Sequence, residues 1–158
     1  MGRRSIKENK NIYQLSREAE GLTREQASEK MEYISDDRIE KIESEKVVPH
    51  PDEVLTMAEC YKKSSLPNYY CSNECPIGMK YVPQLELKDL SQITIEVVNS
   101  INILSRDKDR LIEIAVDGKI TKDELKDFDE IREELDKISA SVQTLRMWLE
   151  HVALTAED

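Results

Sequence analysis

Leu22-Thr23-Arg24-Glu25-Gln26-Ala27-Ser28-Glu29-Lys30-Met31-Glu32-Tyr33-Ile34-Ser35-Asp36-Asp37-Arg38-Ile39-Glu40-Lys41-Ile42-Glu43 is the stretch whose reading decides the fold. Thr23 with Gln26 three residues on is a capping box, so a helix starts at Arg24. It is expected to end near Met31. Ser35 is the next N-cap, and Asp36 and Asp37 put negative charge where a helix N-terminus favours it. Ile39 and Ile42 give that second helix a buried side. Two short capped helices joined by a tight turn are therefore expected at the heart of the first half.

Working outward, Asn11 to Glu20 reads as a preceding helix, with Ile12, Leu15 and Ala19 at 3–4 spacing and Gly21 as its stop. Arg3, Arg4, Lys7 and Lys10 make residues 1–10 a basic, frayed arm. Downstream, Val47-Val48-Pro49-His50-Pro51 is a rigid connection. A fourth helix starts near Pro51, a first-turn proline, and is expected to bury Val54, Leu55, Met57, Ala58 and Tyr61. A short fifth helix falls around Leu66 to Cys71. Pro76, Gly78 and Pro83 mark the boundary of a first domain over 1–78.

The second domain, 84–158, carries longer patterns. Leu90, Ile93, Val97, Ile101 and Leu104 define one amphipathic helix, and Leu111, Ile112, Ala115 and Val116 a shorter one closed by Gly118. Thr121-Lys122-Asp123-Glu124 is a further capping box. It opens a long helix with Leu125, Phe128, Ile131, Leu135, Ile138, Val142, Leu145, Leu149 and Val152 near heptad spacing. About 30 residues make roughly 45 Å of helix, more than a small core covers, so the surplus stripe is expected to meet another chain. The expected fold is all-α: an N-terminal five-helix helix-turn-helix bundle, then a helical, coiled-coil-like oligomerisation module, paired as a homodimer or higher oligomer.

Composition agrees with helices and narrows the function. Of 158 residues 35% are charged, and only 4 are Gly and 5 Pro. No stretch approaches the roughly 18 apolar residues of a membrane span, and no secretory signal is read at the N-terminus. Three Cys, an odd number, argue against a disulfide framework, so a cytoplasmic protein is expected. Net charge is −10, which speaks against a nucleic-acid binder, but it is uneven. Residues 1–80 carry 13 Lys and Arg against 15 Asp and Glu, whereas 81–158 carry 10 against 18. A nearly neutral first half can still bind DNA if its cations share one face.

The capped second helix, the Ile39-x-x-Ile42-Glu43 ending of the third, Lys46 and Pro49 after it, and Val54, Met57-Ala58 and Tyr61 in the fourth resemble the Xre-type, phage-repressor-like helix-turn-helix family over roughly 10–70. The resemblance implies that the third helix enters the major groove of double-stranded DNA. Arg24 would then touch phosphate or a base; Ser35, Asp36, Asp37, Arg38 and Lys41 would line the reading face; Ser44 and Lys46 would lie near the backbone. Arg38 can donate two hydrogen bonds to guanine, and Lys41 and Lys46 can neutralise phosphates. The chain departs from the family where Asp36 and Asp37 replace neutral polar residues, Glu40 adds charge, Glu32 replaces a glycine and Tyr33 lengthens the turn.

Other motifs are weaker. Cys71-Ser72-Asn73-Glu74-Cys75 is a single C-x3-C pair, whereas zinc takes four N or S ligands; Cys71 and Cys75 are at most weak metal or redox candidates, and Cys60 reads as packed core. Asp117-Gly118-Lys119-Ile120 with Glu124 imitates half an EF-hand loop, but Ala115 stands at a ligand position and the Asp-rich first half is missing. Trp148 and Met147 read as seam residues, His151 as a surface or interface residue, and the acid runs around Asp127 and Glu133 as solvated faces. No cofactor and no catalysis are expected. The expected function is a sequence-specific DNA-binding regulator, acting as a dimer, most simply a repressor of a pseudo-palindromic operator with half-sites about 34–36 Å apart. The alternative is the same fold used as a protein-interaction adaptor or antagonist; a thiol- or metal-responsive sensor is a third reading.

Overall fold

A computed structural model describes residues 10–116, 121 and 125–156, the side chains of Asp107 and Ala115 excepted, and within them the chain is all-helical, with no strand. The basic residues Arg3, Arg4 and Lys7, the stretch Asp117–Ile120 with Gly118, and the Lys122–Glu124 part of the capping box lie outside the described residues. Two compact units emerge: Met1–Leu85 with Leu149–Asp158, and Glu86–Trp148.

The first unit is built from α1 (Ile12–Ala19), α2 (Arg24–Met31), α3 (Asp36–Glu43), α4 (Pro51–Cys60), α5 (Leu66–Asn73) and the single turn α6 (Gly78–Tyr81). Caps fix the starts. The Asn11 side chain accepts from the Gln14 N–H, Thr23 and Gln26 close the capping box, and Ser35 accepts from the Arg38 N–H. Tyr13, Ala27, Met31, Ile34, Ile39, Ile42, Val54, Met57, Ala58, Tyr61 and Leu66 form one core, so α1 to α5 share a single buried cluster. α2 packs on α3 and α4, α1 on α3, α4 on α5, and α5 on α6. At the α5–α6 junction a Cβ on Gly78 would run into the Cys71 carbonyl oxygen, so only glycine fits there.

Two expected faces are corrected. Leu15 and Ala19 of α1 are exposed; the helix buries Tyr13, Gln14, Ser16 and Arg17 instead, because Arg17 and Gln14 find partners that make polar burial tolerable. Leu55 of α4 is also exposed, with Val54, Met57 and Ala58 turned inward one step around the helix.

The second unit contains α7 (Leu90–Ala115) and most of α8 (Leu125–Thr155). The sequence pattern predicts two separate helices over 90–116; α7 is continuous, because the charged run Arg106–Arg110 contains neither Gly nor Pro and nothing breaks the ladder. Asp89 caps it by accepting from the Gln92 N–H at 2.9 Å. α7 buries Ile93, Ser100 and Ile114; Ile101, expected inward, is half exposed. Arg110 Nε donates to Asp127 at 2.7 Å, tying the end of α7 to the start of α8. On α8, Ile131 and Met147 are buried with Ser141 and Thr144, whereas Leu135, Val142, Leu149 and Val152 of the heptad pattern face outward.

Candidate nucleic-acid interface

The residues expected to meet DNA sit on α2, the α2–α3 turn, α3 and the loop after it. The turn is shaped by Glu32 at φ 59, ψ −52, with the Tyr33 N–H donating to the Met31 carbonyl at 2.7 Å, a tight γ-turn. Tyr33 then swings onto α4, its hydroxyl 2.6 Å from the Thr56 hydroxyl and donating to the Asp52 carbonyl. The added turn residue is thus an external strap between α2 and α4, with its ring largely exposed.

Behind α3 lies a buried ionic centre. Arg17 Nε and Nη2 donate to the two Glu43 carboxylate oxygens at 2.5 and 3.0 Å, and Arg17 Nη1 donates to the Leu22 carbonyl. Arg24 Nε adds a third bond to Glu43 at 2.8 Å. Burial works against the Arg17 charge, but the Glu43 carboxylate beside it more than offsets this and raises its pKa. Tyr61, also in the core, lies near the same carboxylate, and burial pushes its phenol far above the ordinary range. The Tyr61 hydroxyl itself is buried without a hydrogen-bond partner.

Each of the four cations expected to contact DNA is occupied within the chain. Arg24 is bound to Glu43. Arg38 forms a bidentate pair with Glu53 of α4, at 2.8 Å to each oxygen, and also donates to the Val48 carbonyl, so its guanidinium is turned toward α4. Glu53 accepts in addition from the His50 backbone N–H at 2.6 Å. These bonds, Arg38 foremost, hold the Glu53 carboxyl below its usual range despite burial. Lys41 pairs with Asp37 one turn back at 2.6 Å, and Lys46 with Glu40 at 3.2 Å. Ser35 is consumed as a cap, and the Ser44 hydroxyl donates to the Lys41 carbonyl.

Outward on α3 stand Asp36, Asp37 and Lys41, the last two paired with each other. Glu40 is half-buried beside Lys46. Over residues 23–46 there are 5 Lys and Arg against 8 Asp and Glu. The residues that sequence reasoning missed are Arg17 and Glu53. Arg17 lies off the Ile12, Leu15 and Ala19 stripe that the spacing puts inward, and nothing local marks it as buried. Glu53 has a readable signal, an acid three residues into a proline-opened helix.

Cys60, Cys71 and Cys75 are free and half-buried, and no cluster of three metal-binding side chains occurs among the described residues. The Gly78 N–H donates weakly to Cys75 Sγ at 3.5 Å. His151 is half-buried. No described helix is long and apolar enough to cross a membrane. Comparison with protein-family models, curated proteins and solved structures finds no match to this chain.

Proposed function

We propose that this chain is a non-catalytic, cytoplasmic protein-interaction module: a helix-turn-helix-like bundle of the Xre type that offers an acidic face to a cationic partner protein, paired with a second copy through its C-terminal helices. One observation carries the reading. Arg24, Arg38, Lys41 and Lys46 each hold a carboxylate of their own chain. DNA affinity comes largely from cations that neutralise phosphates and release counterions. A cation that must first abandon a carboxylate adds no net neutralisation: Lys41 and Lys46 would leave Asp37 and Glu40 facing the phosphates, and Arg24 and Arg38 would strand the buried Glu43 and Glu53. With Asp36 and Asp37 outward and 8 acids against 5 bases over residues 23–46, the same surface suits Lys- and Arg-rich protein. The chain would act as an adaptor, or as an antagonist that competes with DNA for such a partner.

Sequence-specific DNA binding is the second reading. The observation that favours it is the pair of capped short helices on a common core, with Lys41 and Lys46 held only by solvent-exposed pairs of small strength. Fluorescence anisotropy with genomic DNA fragments, over a salt series, separates the two. The interaction-module reading expects no saturable binding even at low salt from a folded protein. Binding that selects one fragment, weakens steeply with salt and fails in Lys41→Ala would overturn it in favour of the DNA reader.

A further inference from the structure

The outer side of α7 carries a second stripe, distinct from the face that buries Ile93, Ser100 and Ile114. Leu90, Thr94, Val98, Ile101, Ser105, Lys108, Ile112 and Val116 are all exposed. At 3.6 residues per turn they fall within a strip about a quarter of the helix wide. In a chain with 35% charged residues this strip holds a single charge, Lys108. Its apolar members are between two-fifths and four-fifths exposed.

The steps along the strip read 4, 4, 3, 4, 3, 4, 4. That order is the same in both directions, with its midpoint level with Ile103. A strip with this property is complementary to itself when a second copy lies antiparallel across a two-fold axis, the geometry of an isologous interface. Leu90 then meets Val116 of the other copy, Thr94 meets Ile112, Val98 meets the aliphatic stem of Lys108, and Ile101 meets Ser105. Large side chains oppose large ones at the ends, and large opposes small at the centre, as interdigitating helices require.

We infer that a second copy of this chain docks here, antiparallel, along the outward face of α7. The inference rests on the reading that the chain self-associates and assigns that association to a surface. The area is adequate: the five apolar members of the strip expose on the order of 500 Å² per copy, about the 1,000 Å² in total that a specific interface needs. A cationic partner is not the occupant of this strip, because it displays almost no charge to recognise.

Sedimentation equilibrium at tens of micromolar decides the matter, using full-length chains checked for unchanged helicity by circular dichroism. The wild type is expected at twice the chain mass of 18.3 kDa. Ile101→Glu and Ser105→Lys are each expected to sediment as single chains. When the two are mixed they should regain the dimer mass. The carboxylate introduced at position 101 of one copy then faces the ammonium introduced at position 105 of the other, a rescue that requires the antiparallel register. Ile112→Arg supplies a second disruption should Ile101→Glu lose helicity. A monomeric wild type overturns both this inference and the self-association it rests on. A wild-type dimer untouched by these substitutions, or a mixture that stays monomeric, overturns the α7 assignment alone.

Discussion

Arg17 and Glu43 show how single residues set the character of the first unit. Their side chains are 7% and 1% exposed, so neither charge can fall back on water. Such a pair contributes little relative to an apolar replacement of both members, but losing one member strands the other. Arg17→Met is expected to cost about 3–5 kcal/mol, a large part of the roughly 5–15 kcal/mol that holds a domain together. Urea unfolding measures it, and an unchanged midpoint would show that Arg24 alone satisfies Glu43. Glu53 gives a signature in pH. Its folded-state carboxyl is depressed, so its stabilisation is present above the ordinary Glu value of about 4.3 and is lost as pH falls through the folded value. Glu74 works the other way. Burial raises its carboxyl although the Tyr13 hydroxyl donates to it at 2.9 Å, so its contribution is fullest in acid and fades as pH rises through its folded value. In Glu53→Gln the loss of melting temperature between about pH 5 and pH 3 should be shallower than in the wild type. An identical acid slope would show that Glu53 is not the group responsible.

At the scale of elements, helix starts and helix stops are not equally readable. Asn11, Thr23, Ser35 and Pro51 mark the starts of α1 to α4, because an N-cap or first-turn proline acts on atoms a few residues away. Stops are harder. α1, α3 and α4 are each followed by a residue in the left-handed region, at Gly21, Glu45 and Lys62, with the following N–H bonded back into the helix. Only Gly21 announces itself; Glu45 and Lys62 adopt the same conformation with a side chain. Glu32 is the most strained of these positions, since its γ-turn is one that L-residues rarely take. Glu32→Gly is therefore expected to stabilise the fold by about 1 kcal/mol, strain relief outweighing the added unfolded-state entropy. The urea midpoint should rise with unchanged slope, and a fall would mean that the Glu32 side chain does more than tolerate the turn. In α7, the apolar pattern divides at the charged run, whereas the absence of Gly and Pro there keeps the helix whole.

For the whole molecule, charge decides the balance between readings. Counterion release scales with the phosphates neutralised, so an α2–α3 segment with three more acids than bases displaces few counterions from DNA. The salt series on DNA is thus a test of the entire surface rather than of any one lysine. The sequence by itself determined the all-helical class, the positions of α1 to α5 though not the turn α6, and the long amphipathic pattern of α8. Those features arise from groups within one or two turns of each other, where local spacing is sufficient. Only the tertiary structure decided which carboxylate each cation meets, since Arg38 finds Glu53 15 residues on and Arg17 finds Glu43 26 residues on. It also decided which stripe of α1 and α7 is buried, because a helix with two apolar or half-polar faces is oriented by what packs against it, and spacing along the chain carries no record of that neighbour.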